Sequence, residues 1–409
     1  MWARARGSLT RMNRHLTIVR SAIALLIVVA GPLGRTSGAA QEIPAKLQTT
    51  VARIDAMATE EYAKDKVASV TIGIVQGSQL IWTRSYGEAD MERKVPATKE
   101  TVYRIGSITK QFTGLMLLQL VEDGKVLPTD AVERYLPEIN SVKGRHTGTP
   151  PVTLMQLATM TSGLGREPAN LSKYLVGPVA QWERTMIAAL EETKYDHLPG
   201  TRYQYSNIGY AILGAALSRA AKLPYTTYVE QRILAPLGMS RTAFEQTAAI
   251  TPALAKGYEI DRSGRVSSAD PEREHAGRGY KVPNGALYTT VVDLARFVAF
   301  ELGEGPESVL RKAALEEQHG RVNSANGSLS SGYGVGFQLV RRGEQIFLGH
   351  GGSVSGYTAQ AWIHRPSKTG VVVLRNATGG RFDLSALTFR ALTELANAAA
   401  TTVKTTEAR

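Results

Sequence analysis

Segments with strand character sit near the two ends of this chain and helical segments fill its middle. No other feature restricts the fold more. Runs 69–76 and 79–86 are β-rich and are joined at Gly77-Ser78, which predicts a hairpin. From Ser107, the residues Ile108, Phe112, Leu115, Met116, Gln119 and Leu120 recur at helical spacing as far as Gly124. Residues 153–237 are mostly helical in pattern, broken at Gly163, Gly165, Pro199-Gly200 and Pro224, and 291–302 predicts a further helix. The period then returns to strands at 336–341, 345–348, 357–364 and 370–374, before a last helical stretch over 383–399. Strands so far apart in sequence can share one sheet, with the helices between them inserted as a second lobe.

The expected fold class is therefore α+β, an antiparallel sheet flanked by helices. Residues 41–115 and 285–400 form the sheet lobe, 116–284 an inserted mainly helical lobe, and 401–409 a polar C-terminal tail. The cleft between the lobes is the natural place for a site.

Composition narrows the chemistry. With 43% apolar and 21% charged residues the chain is long and apolar enough to fold. It has no cysteine, which removes disulfide frameworks, thiolate metal sites and a cysteine nucleophile. The formal charge of +12 suggests nucleic acid until its distribution is seen. Half of it comes from Arg4, Arg6, Arg11, Arg14, Arg20 and Arg35, within a leader that carries no acid. The rest is scattered, so no nucleic-acid partner is expected. Residues 1–40 run from this basic segment through an apolar stretch to Ser37-Gly38-Ala39-Ala40, the layout of a signal peptide cleaved after Ala40. Only 14 uncharged residues separate Arg20 from Arg35, fewer than the roughly 20 that span a bilayer. The expectation is an exported protein, periplasmic or secreted, with no stable membrane anchor after cleavage; a retained anchor is the alternative.

Three short segments carry chemistry. Ser107-Ile108-Thr109-Lys110 opens a helix, so Ser107 and Lys110 share one face and an amine can activate the hydroxyl. The helix N-terminus also favours developing negative charge. Alone, the motif fits a helix cap with a solvent-facing lysine equally well. Tyr205-Ser206-Asn207 follows Pro199-Gly200 and precedes a helical run. A phenol near a lysine can be drawn toward phenolate and exchange protons, and Asn207 can hold a substrate amide or the lysine. Taken singly, these are also an ordinary buried tyrosine and helix cap. Gly349-His350-Gly351-Gly352-Ser353 lies at the end of the 345–348 strand, where it is either a glycine-rich turn or a strand edge offering N–H groups to an oxyanion.

The three pieces in this order, with the strand–helix–strand layout, resemble the serine β-lactamase and penicillin-binding-protein superfamily, in its class C-like branch of D-peptidases, D-aminopeptidases and β-lactamase-fold esterases. Ser-x-x-Lys is that superfamily's nucleophile motif. The likeness runs from about Val70 to Arg365. It includes segments 103–110, 159–164 and 199–207, Pro236-Leu237-Gly238-Met239, and 349–356. The resemblance implies a β-lactamase/transpeptidase-like fold and an acyl-enzyme mechanism without cofactor or metal. It makes Ser107 the nucleophile, Lys110 its proton-managing partner, Tyr205 a second acid/base and Asn207 a substrate or lysine contact. His350, Gly351 and Gly352 fall on the third motif, usually Lys-Thr-Gly in β-lactamases, and the N–H of Ser353 joins that of Ser107 in the oxyanion hole. Histidine is not a fixed cation near neutrality, so slow β-lactam turnover is expected. The implied substrate is a small molecule or peptide with an amide or ester bond. Glu167-Pro168-Ala169-Asn170 invites comparison with a class A deacylation glutamate, but its spacing and order differ and it is read as a loop.

Other chemistries fit less well. No serine has glycine at both −2 and +2, as an α/β-hydrolase elbow requires. The histidines show no His-Glu-x-x-His spacing. The competing class is a non-catalytic relative that binds cell-wall peptide or another ligand in an inactive cleft. Neither substrate identity nor oligomeric state is legible from the sequence.

Overall fold

The computed structural model describes residues 43–407, apart from 146, 325–326 and 328–329. The expected leader, 1–40, lies outside the described residues. Before the helical middle come strands β1 (Ser69–Gln76), β2 (Gln79–Asp90), β3 (Val95–Pro96) and β4 (Val102–Arg104). The middle contributes β5 (Tyr258–Ile260), β6 (Val266–Ser267) and β7 (Tyr288–Thr290). The last third adds β8 (Asn323–Ser324), β9 (Ser331–Tyr333), β10 (Gln338–Arg342), β11 (Gln345–Val354), β12 (Tyr357–His364), β13 (Thr369–Arg375) and β14 (Ala377–Gly379). Nine of these form one antiparallel sheet in the order β3-β2-β1-β13-β12-β11-β10-β9-β8. The two ends of the chain meet where β1 pairs with β13, Val70 opposite Arg375 and Ile74 opposite Val371.

Alternation along these strands feeds two cores. Val70, Ile72, Ile74, Val371, Val373 and Trp362 face the helices Gln48–Ala63 and Leu384–Glu407, through Val51, Ile54, Leu392 and Leu395. Val75, Ala359, Ala361, Val372 and Leu374 face the larger core shared with the inserted segment. A strand buried on both faces needs no polar alternation, which is why 371–374 is an unbroken apolar run.

The helix Thr109–Glu122 is the hub, buried on all sides from Thr109 to Leu117. It runs across the expected 115/116 lobe boundary and so belongs to both lobes. The described residues lie in one compact unit, Gln41–Arg409. The helix Asn207–Ala221 packs beside it, started by Ser206, whose Oγ accepts the N–H of Gly209 at 3.0 Å. Two short strands, β5 and β6, interrupt an otherwise helical insertion and join β14 in a small sheet. Two expectations are corrected here. The C-terminal helix continues to Glu407, taking in residues 401–407 of the expected tail. β11 does not stop at Leu348 but runs to Val354, through the whole glycine segment. Among the described residues no helix is long and apolar enough to cross a membrane.

Asn376, fully buried at the end of β13, ties three segments together. Its Oδ1 accepts the N–H and hydroxyl of Ser69 at 2.7 and 2.6 Å, and its Nδ2 donates to the carbonyls of Ala89 and Lys256 at 3.1 and 2.7 Å. Asn376→Ala strands those buried groups and is expected to cost about 2–4 kcal/mol, read as a lower urea midpoint at unchanged slope.

Candidate active site

β4 delivers Ser107. It pairs with β7, and the N–H of Ile105 continues the ladder to Leu287 O at 3.0 Å before the chain tightens into the turn Gly106–Ile108 and the helix behind it. Ser107 sits on that turn, facing a cleft of about 1070 Å³ lined also by Arg166, Glu167, Tyr205, Asn207, His350 and Ser353.

The far wall is the edge of β11. β10 pairs with β11 only as far as Gly349, whereas β12 pairs with it up to Val354 opposite Tyr357. The two-residue turn Ser355-Gly356 makes Val354 and Tyr357 a hydrogen-bonded pair, so the N–H groups of residues 350, 352 and 354 point to β12. Those of Gly351 and Ser353 point the other way. In agreement, the Gly351 N–H reaches the Gln338 side chain on the β10 side. The Ser353 N–H is left facing the turn that carries Ser107. Glycine makes the approach feasible. A Cβ on Gly106, whose φ is +50°, would lie 2.7 Å from Ser353 O, and one on Gly352 would lie 1.9 Å from Ile105 O. The glycine segment is therefore strand edge and not turn.

Lys110 is fully buried beneath Ser107. Its Nζ lies 3.3 Å from Ser107 Oγ and donates to Asn207 Oδ1 at 2.7 Å and to Asn284 O at 3.0 Å. Burial, reinforced by the positive charges of Lys281, Arg166 and Arg278 and opposed by Glu167, holds its pKa well below the ordinary lysine value. A neutral amine has two N–H groups and one lone pair. The two carbonyls take the hydrogens, and the lone pair is left for the serine hydroxyl.

Asn207 is held in that orientation from behind. Its Nδ2 donates to Glu167 Oε1 at 2.6 Å, and its carbonyl accepts from Asn284 Nδ2 at 2.9 Å. Glu167 Oε1 also accepts from Lys281 Nζ at 2.8 Å, and Oε2 from the Tyr280 hydroxyl. Glu167 does lie in a loop, as read from the sequence, but it is a wall of the cleft. Tyr280, Lys281 and Asn284 were missed by sequence reasoning, and Glu167 was read only as part of a loop. The adjacent charges of Arg166-Glu167 in a glycine-rich loop were the one available signal.

Tyr205 completes the group. Its hydroxyl hydrogen-bonds Ser107, and its ring centroid lies 4.9 Å from Lys110 Nζ and 4.8 Å from the Arg166 guanidinium carbon. Desolvation outweighs the Ser107 hydrogen bond and the Arg166 charge and raises its pKa, so the phenol stays protonated. His350 is buried 6.2 Å, ring to ring, from Tyr205. Desolvation pushes its pKa down to about 3. The ring is neutral, with Nδ1 donating to Gly351 O at 2.5 Å and Nε2 accepting from the Tyr333 hydroxyl at 3.1 Å. Ser107, Lys110, Tyr205, Asn207, His350, Gly351, Gly352 and Ser353 thus all meet at one cleft, with Lys110 underneath it.

The pattern is shared with known proteins. The family model described as Beta-lactamase matches residues 54–395. This chain belongs to the beta-lactamase family. Protein flp of Staphylococcus aureus (strain COL) is 28% identical over 325 residues, 79% of this chain and 62% of that protein. Beta-lactamase-like protein 2 of Dictyostelium discoideum is 30% identical over 336 residues, 80% of this chain and 59% of that protein. The chain thus spans about three fifths of these curated relatives. Among solved structures, an octameric penicillin-binding protein homologue from Pyrococcus abyssi superposes with TM-score 0.73 at 27% identity, covering 85% of this chain and 77% of that one. A class C beta-lactamase superposes with TM-score 0.69 at 18% identity, covering 85% and 96%, a likeness of fold.

Two outcomes follow for this beta-lactamase-family site. Gly352→Ala forces the strand edge off the Ser107 turn, and kcat on an ester substrate is expected to fall by about a hundred- to a thousandfold, the usual cost of an oxyanion donor. An amine that is to take the Ser107 proton must be unprotonated, so kcat/KM is expected to rise with pH through the pKa of Lys110. Glu167→Gln removes a charge that favours the ammonium and moves that acid limb to lower pH; Lys281→Met removes an opposing one and moves it to higher pH. A limb that shifts in the same direction in both variants contradicts the assignment.

Proposed function

We propose that the protein is an exported serine hydrolase that cleaves an amide or ester through an acyl-enzyme. The observation that carries this reading is the buried Lys110 amine, its pKa held well below the ordinary lysine value, 3.3 Å from Ser107 Oγ and donating to Asn207 and Asn284. The export part rests on the basic, apolar and small-residue order of the leader.

As the Ser107 oxygen bonds to the carbonyl carbon, its proton passes to Lys110 Nζ. The carbonyl oxygen becomes an oxyanion, met by the N–H groups of Ser107 and Ser353. Collapse breaks the bond to the leaving nitrogen or oxygen, which takes the proton through the Tyr205 hydroxyl. Water then attacks the acyl-enzyme and loses its proton along the same path in reverse. The acid departs and Ser107 is restored. The raised pKa of Tyr205 suits this relay, because a phenol that stays protonated can pass one proton on while receiving another. His350 has both ring nitrogens occupied within the protein and offers no cation to a β-lactam carboxylate, which supports slow β-lactam turnover.

A fluorophosphonate probe is expected to label one residue, mapped to Ser107 by mass spectrometry, and Ser107→Ala is expected to lose the label. A label that persists in the variant removes the nucleophile, and no label on the native chain favours a ligand-binding cleft. Among substrates, p-nitrophenyl esters or D-amino acid amides are expected to turn over faster than nitrocefin; equal rates would overturn the reading of His350.

A further inference from the structure

Most charged side chains close to Ser107 are matched in pairs, and Arg166, which stands against Tyr205, is not. Lys281 is paired with Glu167, and Arg375 with Asp65 at 3.1 Å. Lys110 is buried beneath Ser107 and bonded to Asn207 and Asn284, and the ring of His350 is bonded at both nitrogens within the protein. The Arg166 guanidinium is exposed in the cleft and lies over the face of Tyr205, 4.8 Å from its centroid, with no carboxylate partner among the described residues. Glu167, the adjacent carboxylate, is already committed to Lys281, Asn207 and Tyr280.

The backbone that delivers Arg166 is fixed to the site. Its carbonyl accepts the N–H of Asn207 at 2.9 Å, and the neighbouring Gly165 carbonyl accepts the Ser206 hydroxyl at 2.8 Å. The residue is thus anchored to the same helix start that holds Asn207 beside Lys110, while its guanidinium projects into the open cleft. An arginine with five donors and a weak aromatic contact is suited to a planar anion, which it can grip through two parallel hydrogen bonds.

We infer that Arg166 reads substrate charge, and that the preferred substrates of this hydrolase carry a carboxylate that docks on the Arg166–Tyr205 wall of the cleft, across from His350. This rests on the serine-hydrolase reading above and adds the substrate class. It also moves charge recognition away from the third-motif position, where the neutral ring of His350 is enclosed.

The test compares matched substrates that differ in charge. p-Nitrophenyl hemiglutarate is paired with p-nitrophenyl valerate, to place the carboxylate on the acyl side. A D-alanyl dipeptide is paired with its C-terminal amide, to place it on the leaving side. The readout is the ratio of kcat/KM within each pair, which cancels any general damage to Tyr205 or the fold. In the native chain at least one pair is expected to favour the anion. Arg166→Gln is expected to lower that ratio tenfold or more, the usual scale for one charge-assisted pair. Arg166→Lys should restore part of it, because the charge returns without the fork. Arg381→Gln removes another exposed cation of the same cleft and is expected to change the ratio by less than threefold. An unchanged ratio in Arg166→Gln, or equal losses in the Arg166 and Arg381 variants, overturns the inference and leaves the hydrolase reading intact. Failure of the native chain to turn over either member of both pairs, with Ser107 unlabelled, overturns both.

Discussion

A lysine with no solvent exposure governs this molecule. A buried ammonium with only uncharged hydrogen-bond partners would cost several kcal/mol, so the interior favours the free amine, and the free amine needs two acceptors for its hydrogens. Asn207 and Asn284 supply them from segments 97 and 174 residues away. The requirement to satisfy one nitrogen therefore draws the start of the helix Asn207–Ala221 and the segment before β7 onto the helix that carries Ser107. The arrangement of the cleft and the packing of these helices answer to the same constraint. The outer support, in which Glu167 holds Asn207 and Lys281 holds Glu167, sets which end of the amide faces the lysine.

The second constraint is steric and comes from the absence of side chains. Gly106 and Gly352 let a strand edge and a turn approach to a separation that an alanine at either position would forbid. β10 stops short and leaves that edge without a strand partner over residues 350–354. An unpaired edge is ordinarily a hazard; here it is enclosed by the turn that carries the nucleophile.

Much of this was legible in the sequence because it is local. The 69–86 hairpin follows from two β-rich runs around Gly77-Ser78, and the spacing of Ser107 and Lys110 requires only one helical turn. The glycine segment was harder, since glycine signals a turn more often than a strand, and only the pairing of β11 with β12 shows that the strand continues. Glu167 and Lys281 are 114 residues apart, and neither sits in a periodic pattern that announces the other. The acceptor from residue 284 is a backbone carbonyl, which no side-chain pattern encodes. The raised pKa of Tyr205 depends on burial by segments distant in sequence, which residue identity alone does not announce.

The pairing of β1 with β13 also dictates when the molecule can become itself. Val70 waits for Arg375, so the central ladder of the sheet cannot close until nearly the whole chain has been synthesised. Until then the β1–β2 hairpin is a marginal ribbon with an open edge. Closure over so long a loop makes for slow folding and a long-lived unfinished state, vulnerable to misassembly and accessible to chaperones. The outer helix Leu384–Glu407 arrives last of all and seals the face that the helix Gln48–Ala63 had left half covered. Loss of β13 and the helix Leu384–Glu407 would thus remove the partner on which β1 depends, so β1 and the segment 369–407 stand or fall together.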